Sequence, residues 1–257
     1  ILGTGKVAVI DPGPNDEAHI DAILAGLPGE EVSHILVTHT HMDHSPGCRP
    51  LQAKTGAPTY AYGPHGAGKI EQGVQVEEGG DMDFEPDHLV THGDIIQGAD
   101  WTVECVYTPG HTSNHLCFAL QEQKALFTGD HVMGWSTSII SPPDGDMADY
   151  MQSLELLLGR DDDIYWPTHG PSIIDPKTHV QAYIDHRLER EQQILACIDQ
   201  GTHQIREMVP LMYRDTPEVM YPAAARSVLA AMENLVRKEQ VVVQGEGLTM
   251  ESAYIRA

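Results

Sequence analysis

ILVTHTHMDHSPG, residues 35–47, decides the reading of this chain. A short β-branched run, Ile35 to Val37, stops abruptly, and His39, His41, Asp43 and His44 follow at once. This pattern predicts a strand at 33–38 that runs into a loop able to turn several side chains toward one point. Imidazole nitrogen and carboxylate oxygen are typical zinc ligands. The spacing also sorts them: His39 and His41 can face one ion, while Asp43 and His44 reach a neighbour.

The same arrangement recurs downstream. YTPGHTSNH (107–115) places His111 after a second apolar strand, FTGDH (127–131) places Asp130 after a third, and WPTHG (166–170) places His169 after a fourth. Each polar residue follows an apolar run with glycine nearby. Open sheets build their sites at strand ends in this way.

Around these points the pattern predicts strands at 6–10, 59–62, 88–91, 101–107, 115–120, 124–128 and 164–166. Helices are expected at 16–27, 46–56 and 146–159, the last with Met147, Tyr150, Met151, Leu154 and Leu158 on one side. Residues 63–80 are glycine-rich and read as a loop over a site, with His65 at its mouth. After residue 175 the character changes. Helices are expected at 176–199, 203–214 and 222–239, then a hairpin in VVVQGEGLTMESAYI turning at Gly245-Glu246-Gly247. Helix, helix, helix, hairpin is the order of a winged helix. A boundary near 176 thus divides a catalytic unit, 1–175, from a helical unit, 176–257.

Composition narrows the class. The 257 residues carry 15 Lys and Arg against 38 Asp and Glu, a net charge of −23. Residues 203–257 hold six basic against seven acidic residues, so the excess lies in the catalytic unit. Nucleic-acid binders neutralise phosphates with Lys and Arg, which this chain supplies poorly. The run Asp161-Asp162-Asp163 reads as a solvated loop. The four cysteines form no C-x-x-C pair, which points to a reducing cytoplasm and a soluble protein without a disulfide framework. Cys105 and Cys117 read as buried. No stretch approaches the ~18 apolar residues of a membrane span.

The run THTHMDH, then TPGHT, then TGD, then THG, resembles the metallo-β-lactamase superfamily. The match covers most of residues 1–175. GDHVMG, DYMQSLELLL, HRLEREQQIL and the whole of 176–257 resemble the β-lactamase-like subgroup that adds a C-terminal winged helix. The resemblance implies an α/β fold, the four-layer αββα metallo-β-lactamase sandwich, followed by the winged-helix unit. The family's first strands normally precede the one at 6–10, so the resemblance places them before Ile1.

Residue by residue, the resemblance implies that His39, His41 and His111 bind one metal. Asp43, His44 and His169 bind a second, and Asp130 bridges both. Asp11, in DPG, corresponds to a family aspartate that orients the metal loop. His115 and His131 stand beside the ligands as supporting residues. Asp43 and Asp130 are the carboxylates expected to take part in catalysis, Asp43 as proton acceptor. Two departures keep every ligand: Ser45-Pro46-Gly47 replaces the usual Gly-Gly, and Pro167-Thr168-His169-Gly170 replaces PGHG.

The expected cofactor is two Zn²⁺, with Mn²⁺ or Fe²⁺ also accepted by mixed nitrogen and oxygen ligands. The expected activity is hydrolysis by a metal-bridging hydroxide, on a small acyl substrate with an ester, thioester or lactam-like bond. The alternative is a metal-dependent endoribonuclease acting on single-stranded RNA, favoured by the winged helix and opposed by the charge. The expected partner is a small molecule, with RNA as the alternative. No membrane partner is expected, and a homodimer through the appendage is the assembly considered.

Overall fold

The computed structural model describes residues 1–67, 79–245 and 247–257. The expected loop at 63–80 therefore lies largely outside the described residues, as does Glu246 of the expected hairpin turn.

Two sheets and the helices outside them form the first unit. The first sheet contains β1 (Lys6–Ile10), β2 (Glu31–Leu36), β3 (Thr59–Ala61) and β4 (His88–Leu89), all parallel and in that order. The second contains β5 (Ile95–Gln97), β6 (Thr102–Tyr107), β7 (Leu116–Leu120), β8 (Ala125–Gly129) and β9 (Ile164–Pro167). Its pairs are antiparallel except β8 with β9.

Alternation along the strands explains the layering. Leu116, Phe118 and Leu120 of β7 join Val103 and Cys105 of β6 and Ala8 and Leu36 of the first sheet in the core between the sheets. Cys117 and Ala119, on the other face of β7, pack with Tyr150, Leu154 and Leu157. Every β7 side chain is buried, which marks it as the centre of its sheet. Each fully buried Leu or Phe contributes roughly 1.5–3 kcal/mol of transfer free energy.

Helices α1 (Glu17–Ala25) and α2 (Cys48–Thr55) cover the outer face of the first sheet through Ile20, Cys48 and Leu51. Asp16 caps α1 by accepting from the Ala18 and His19 amides, and Gly56 ends α2 in the left-handed conformation. Helices α3 (Met147–Leu158) and α4 (Pro176–Asp199) cover the second sheet through Tyr150, Leu154, Val180 and Tyr183. The result is the four-layer αββα sandwich. Helices α5 (Ile205–Met212) and α6 (Tyr221–Arg237), with the antiparallel hairpin β10 (Val241–Gln244) and β11 (Ala253–Arg256), complete the C-terminal winged helix. They share a core with the second half of α4 through Ile194, Leu195 and Ile198. No helix among the described residues is long and apolar enough to cross a membrane.

The structure corrects the sequence reading in three places. Strand β5 escaped it, because three residues between Gly93 and Gly98 carry too little pattern. The buried face of α3 is Met147, Tyr150, Ser153, Leu154 and Leu157, with Met151 and Leu158 only partly covered. Asp162 is not solvated: its carboxylate is largely covered and takes Arg160 Nε at 2.7 Å and Nη2 at 3.1 Å. All four cysteines are free and buried.

Candidate metal centre

Four strand ends deliver the candidate ligands. His39, His41, Asp43 and His44 follow β2, His111 follows β6, Asp130 follows β8, and His169 follows β9. Close packing holds these loops together. Gly47 accepts the approach of the Asp11-Pro12-Gly13 turn, where a Cβ would meet the Pro12 carbonyl oxygen at 2.7 Å. Gly129 has φ +50°, and a Cβ there would meet His115 Nε2 at 2.7 Å and Thr38 Oγ1 at 2.8 Å.

Three ring nitrogens converge on one point. His41 Nδ1 lies 3.0 Å from His39 Nε2 and 3.2 Å from His111 Nε2. The outer partners fix the tautomers. The Thr38 hydroxyl donates to Asp11 Oδ2 at 2.6 Å, so it accepts from His39 Nδ1 at 3.0 Å. His111 Nδ1 donates to the Ile139 carbonyl at 2.7 Å. Both histidines therefore present a bare Nε2 lone pair toward His41. A cation at the meeting point satisfies these lone pairs together, as one shared proton cannot.

A second group contains Asp43, His44 and His169. Asp43 Oδ1 is 3.5 Å from His44 Nε2, and Asp43 Oδ2 is 3.2 Å from His169 Nε2. Asp130 lies between the groups. Its Oδ2 is 3.8 Å from His111 Nε2 and 3.6 Å from His44 Nε2, and its Oδ1 is 3.5 Å from His169 Nε2. His44 Nε2 and Asp130 Oδ1 are buried without a hydrogen-bond partner among the described residues. Such orphans are costly unless a ligand completes them. The residues thus fit a metal, and each group brings its ligand atoms within 4.8 Å of one another.

Asp11 also comes that close to His39 and His44. Its carboxylate is already engaged: it accepts from the Thr38 amide at 2.7 Å and hydroxyl, and faces His44 Nδ1 at 3.0 Å. We read it as the residue that orients this loop.

Electrostatics separate the two groups. Burial, then His111 and His44, lowers His41 to about 2, and burial lowers His39 well below the ordinary imidazole range. Burial would also lower His44, but the hydrogen bond to Asp11 and the negative charge of Asp130 close by outweigh it and raise the residue to about 10. Burial would raise Asp130, but His44 outweighs it and brings the carboxyl down to about 2. His44 thus carries a proton at the point where a metal of the second group would sit.

The remaining sequence candidates divide. His115 Nε2 accepts from the Asp130 amide at 3.3 Å, and its Nδ1 pairs with the Thr108 hydroxyl at 2.9 Å. It holds the strand end that carries Asp130. His131 is fully buried against the Tyr150 ring, 4.6 Å between centroids, and neither ring nitrogen has a partner among the described residues. Burial, then His111 and Arg187, lowers it to about 3. His65 pairs with the Thr40 hydroxyl at 2.9 Å, and its ring lies 6.2 Å from that of His41.

Sequence reasoning missed Thr38, the Ile139 carbonyl and Trp135. Thr38 immediately precedes His39, a local signal that could have found it. Ile139 is 28 residues from His111 and carries no motif. Trp135, 70% exposed, stacks on His169 with ring centroids 5.8 Å apart.

Comparison with known proteins identifies the family. Residues 1–169 match the model of the metallo-beta-lactamase superfamily, and residues 205–248 match that of the beta-lactamase associated winged helix domain. The Drosophila melanogaster beta-lactamase-like protein 2 homolog is 30% identical over 95% of this chain and 83% of its own. An atrochrysone carboxyl ACP thioesterase from Aspergillus fumigatus is 32% identical over 77% of this chain and 58% of its own. The crystal structure of a metallo-beta-lactamase family protein from Thermus thermophilus superposes with a TM-score of 0.79 at 21% identity, covering 100% of this chain and 92% of that one. The chain belongs to the metallo-β-lactamase superfamily of hydrolases and carries the β-lactamase-associated winged helix at its C-terminal end.

Proposed function

We propose that this hydrolase is a dinuclear zinc enzyme acting on a small acyl substrate with an ester, thioester or lactam-like bond. His39, His41 and His111 would hold one ion, Asp43, His44 and His169 the other, and Asp130 would face both. Zinc bound there supplies a water of lowered pKa and positive charge for the developing oxyanion.

The chain's own residues do the rest. Asp11 and Thr38 orient His39 and His44. His115 holds the backbone of Asp130. Asp43, with a half-exposed carboxylate 3.2 Å from His169 Nε2, takes the proton released during attack.

The observation that carries the substrate class is the exposed apolar residues that adjoin the candidate ligands in sequence or contact. Met42 lies between His41 and Asp43, Trp135 stacks on His169, and Ile139 accepts the His111 hydrogen bond; all three side chains are exposed. Such a rim suits an acyl chain or ring better than a phosphodiester backbone. Two cations at the C-terminal end of α6 are also engaged internally. Arg237 pairs with Asp146 at 2.7 Å and Lys238 with Glu191 at 2.9 Å. The relative named as a thioesterase supports the same class.

The test is a panel of thioesters, esters and lactams, beside single-stranded RNA, with wild type and His39→Ala. Chelator-sensitive, His39-dependent acyl hydrolysis without RNA cleavage is expected. RNA cleavage with the same dependence, and no acyl turnover, overturns the reading.

A further inference from the structure

In a chain of net charge −23, two neighbouring guanidiniums of α4 have no carboxylate partner among the described residues. Arg187 and Arg190 leave α4 one turn apart, so they share a face. Arg187 is 6% exposed; it lies 5.1 Å over the Tyr150 ring and donates from Nη2 to the Ser138 carbonyl. Arg190 lies 4.3 Å over the Tyr213 ring and donates from Nη1 to Gln193 Oε1 at 2.7 Å and the Met212 carbonyl at 2.9 Å. The Nε atoms of both are buried without a partner. Neither has an ion-pair partner among the described residues.

Both arginines line one cavity of about 200 Å³, together with His186, Ser138, Ile139 and Ser227. The cavity lies between the 132–146 loop and helices α4 and α6. Burial, and then the two guanidiniums, lower the pKa of His186 from its ordinary value. Ring faces and carbonyls satisfy only part of a buried guanidinium, which remains unfavourable without a counter-charge. A carboxylate or phosphate offers the planar or multi-oxygen acceptor that completes it. The cavity also adjoins the metal centre through one residue: Ile139 lines it and accepts the hydrogen bond that orients His111.

We propose that this cavity binds an anionic group of the substrate, a carboxylate or phosphate set apart from the scissile acyl bond. The proposal rests on the acyl-hydrolase reading and gives it a substrate class: acyl compounds with an acidic group at a distance from the bond that is cut. The apolar rim would take the chain between the two ends.

The test compares glutaryl and pentanoyl thioesters of N-acetylcysteamine, matched in length and differing in the terminal carboxylate. The metal-loaded full-length chain is used, with Arg190→Gln and Ser227→Asp. Ser227→Asp puts a carboxylate into the cavity without removing either arginine from its packing. Wild type is expected to prefer the glutaryl thioester by about tenfold in kcat/KM, through KM. Both variants are expected to bring that ratio close to one.

Equal use of the two thioesters by wild type, or an unchanged ratio in both variants, overturns the proposal. In parallel, calorimetry measures binding of glutarate and of inorganic phosphate. Binding lost in Ser227→Asp places the anion in the cavity, whereas binding retained in both variants places it at the metals and overturns the assignment. Phosphate binding without any thioester preference reduces the cavity to a site for free anions and overturns the substrate claim. If neither thioester is cleaved, the acyl reading fails, while glutarate binding lost in Ser227→Asp still supports the cavity as an anion site.

Discussion

At the scale of single residues, Asp11 links the backbone of the metal loop to its side chains. It takes the Thr38 amide and hydroxyl and faces His44, all within 3.0 Å. Asp11→Ala leaves a buried imidazole and a buried amide unsatisfied. We expect a loss of about 2–4 kcal/mol in denaturant unfolding of the metal-free protein. Metal affinity, read by chelator competition, is expected to fall roughly 10–100-fold. The His44–Asp130 pair sets a pH dependence. His44 is raised to about 10 from 6.5, so its contribution to stability is complete below about pH 6.5 and is lost as pH rises toward 10. Asp130 is depressed to about 2 from 3.8, so its contribution holds above about pH 4 and is lost as pH falls toward 2. Thermal unfolding of the chelated protein should therefore show this pair contributing most between these limits. Metal bound at the second group would displace the His44 proton. Its affinity should rise about tenfold per pH unit below pH 10, and calorimetry in buffers of different ionisation enthalpy should register the released proton.

At the scale of elements, α3 ties the catalytic unit to the C-terminal helices. Asp146 caps α3 by accepting from the Ala148 and Asp149 amides, and its carboxylate also takes Arg237 of α6 at 3.0 and 2.7 Å. Asp146→Ala removes a cap worth about 1 kcal/mol together with a half-exposed pair worth less. We expect it to cost about 1–2 kcal/mol and Arg237→Ala under about 1 kcal/mol. A double-mutant cycle on the unfolding free energies should leave a coupling below about 1 kcal/mol. Much of this level was legible in the sequence. Helix α4 runs over 176–199 as its pattern predicted, because Asp175 and Pro176 mark its start and apolar residues recur along it. Strand β5 was not legible, since its three residues gain strand geometry only by pairing with β6.

At the scale of the whole molecule, α4 belongs to two cores at once. Val180, Tyr183 and Ile184 pack under α3 and the second sheet, while Ile194, Leu195 and Ile198 pack with α5 and α6. Tyr183 also fastens the segment beside the metal centre, donating to the Met133 carbonyl at 2.7 Å and accepting from the Met133 amide at 3.1 Å. A chain ending at residue 175 would expose the apolar face of α3 and release this segment. We expect it to lose cooperative unfolding and metal binding together, measured by circular dichroism and metal titration.

The local sequence by itself supplied the candidate ligand types and set His39 with His41 and Asp43 with His44. The spacing His39-x-His41-x-Asp43-His44 after a strand leaves few ways to arrange those side chains, and glycine and proline mark where each loop turns. The same locality made α4 and the wing hairpin readable. Tertiary structure alone decided which distant groups support and surround the ligands. The Ile139 carbonyl at His111, the Trp135 ring on His169, and Arg187 and Arg190 gathered behind Ile139 depend on packing between segments tens of residues apart. No local periodicity encodes such contacts, because burial in the assembled layers chooses them.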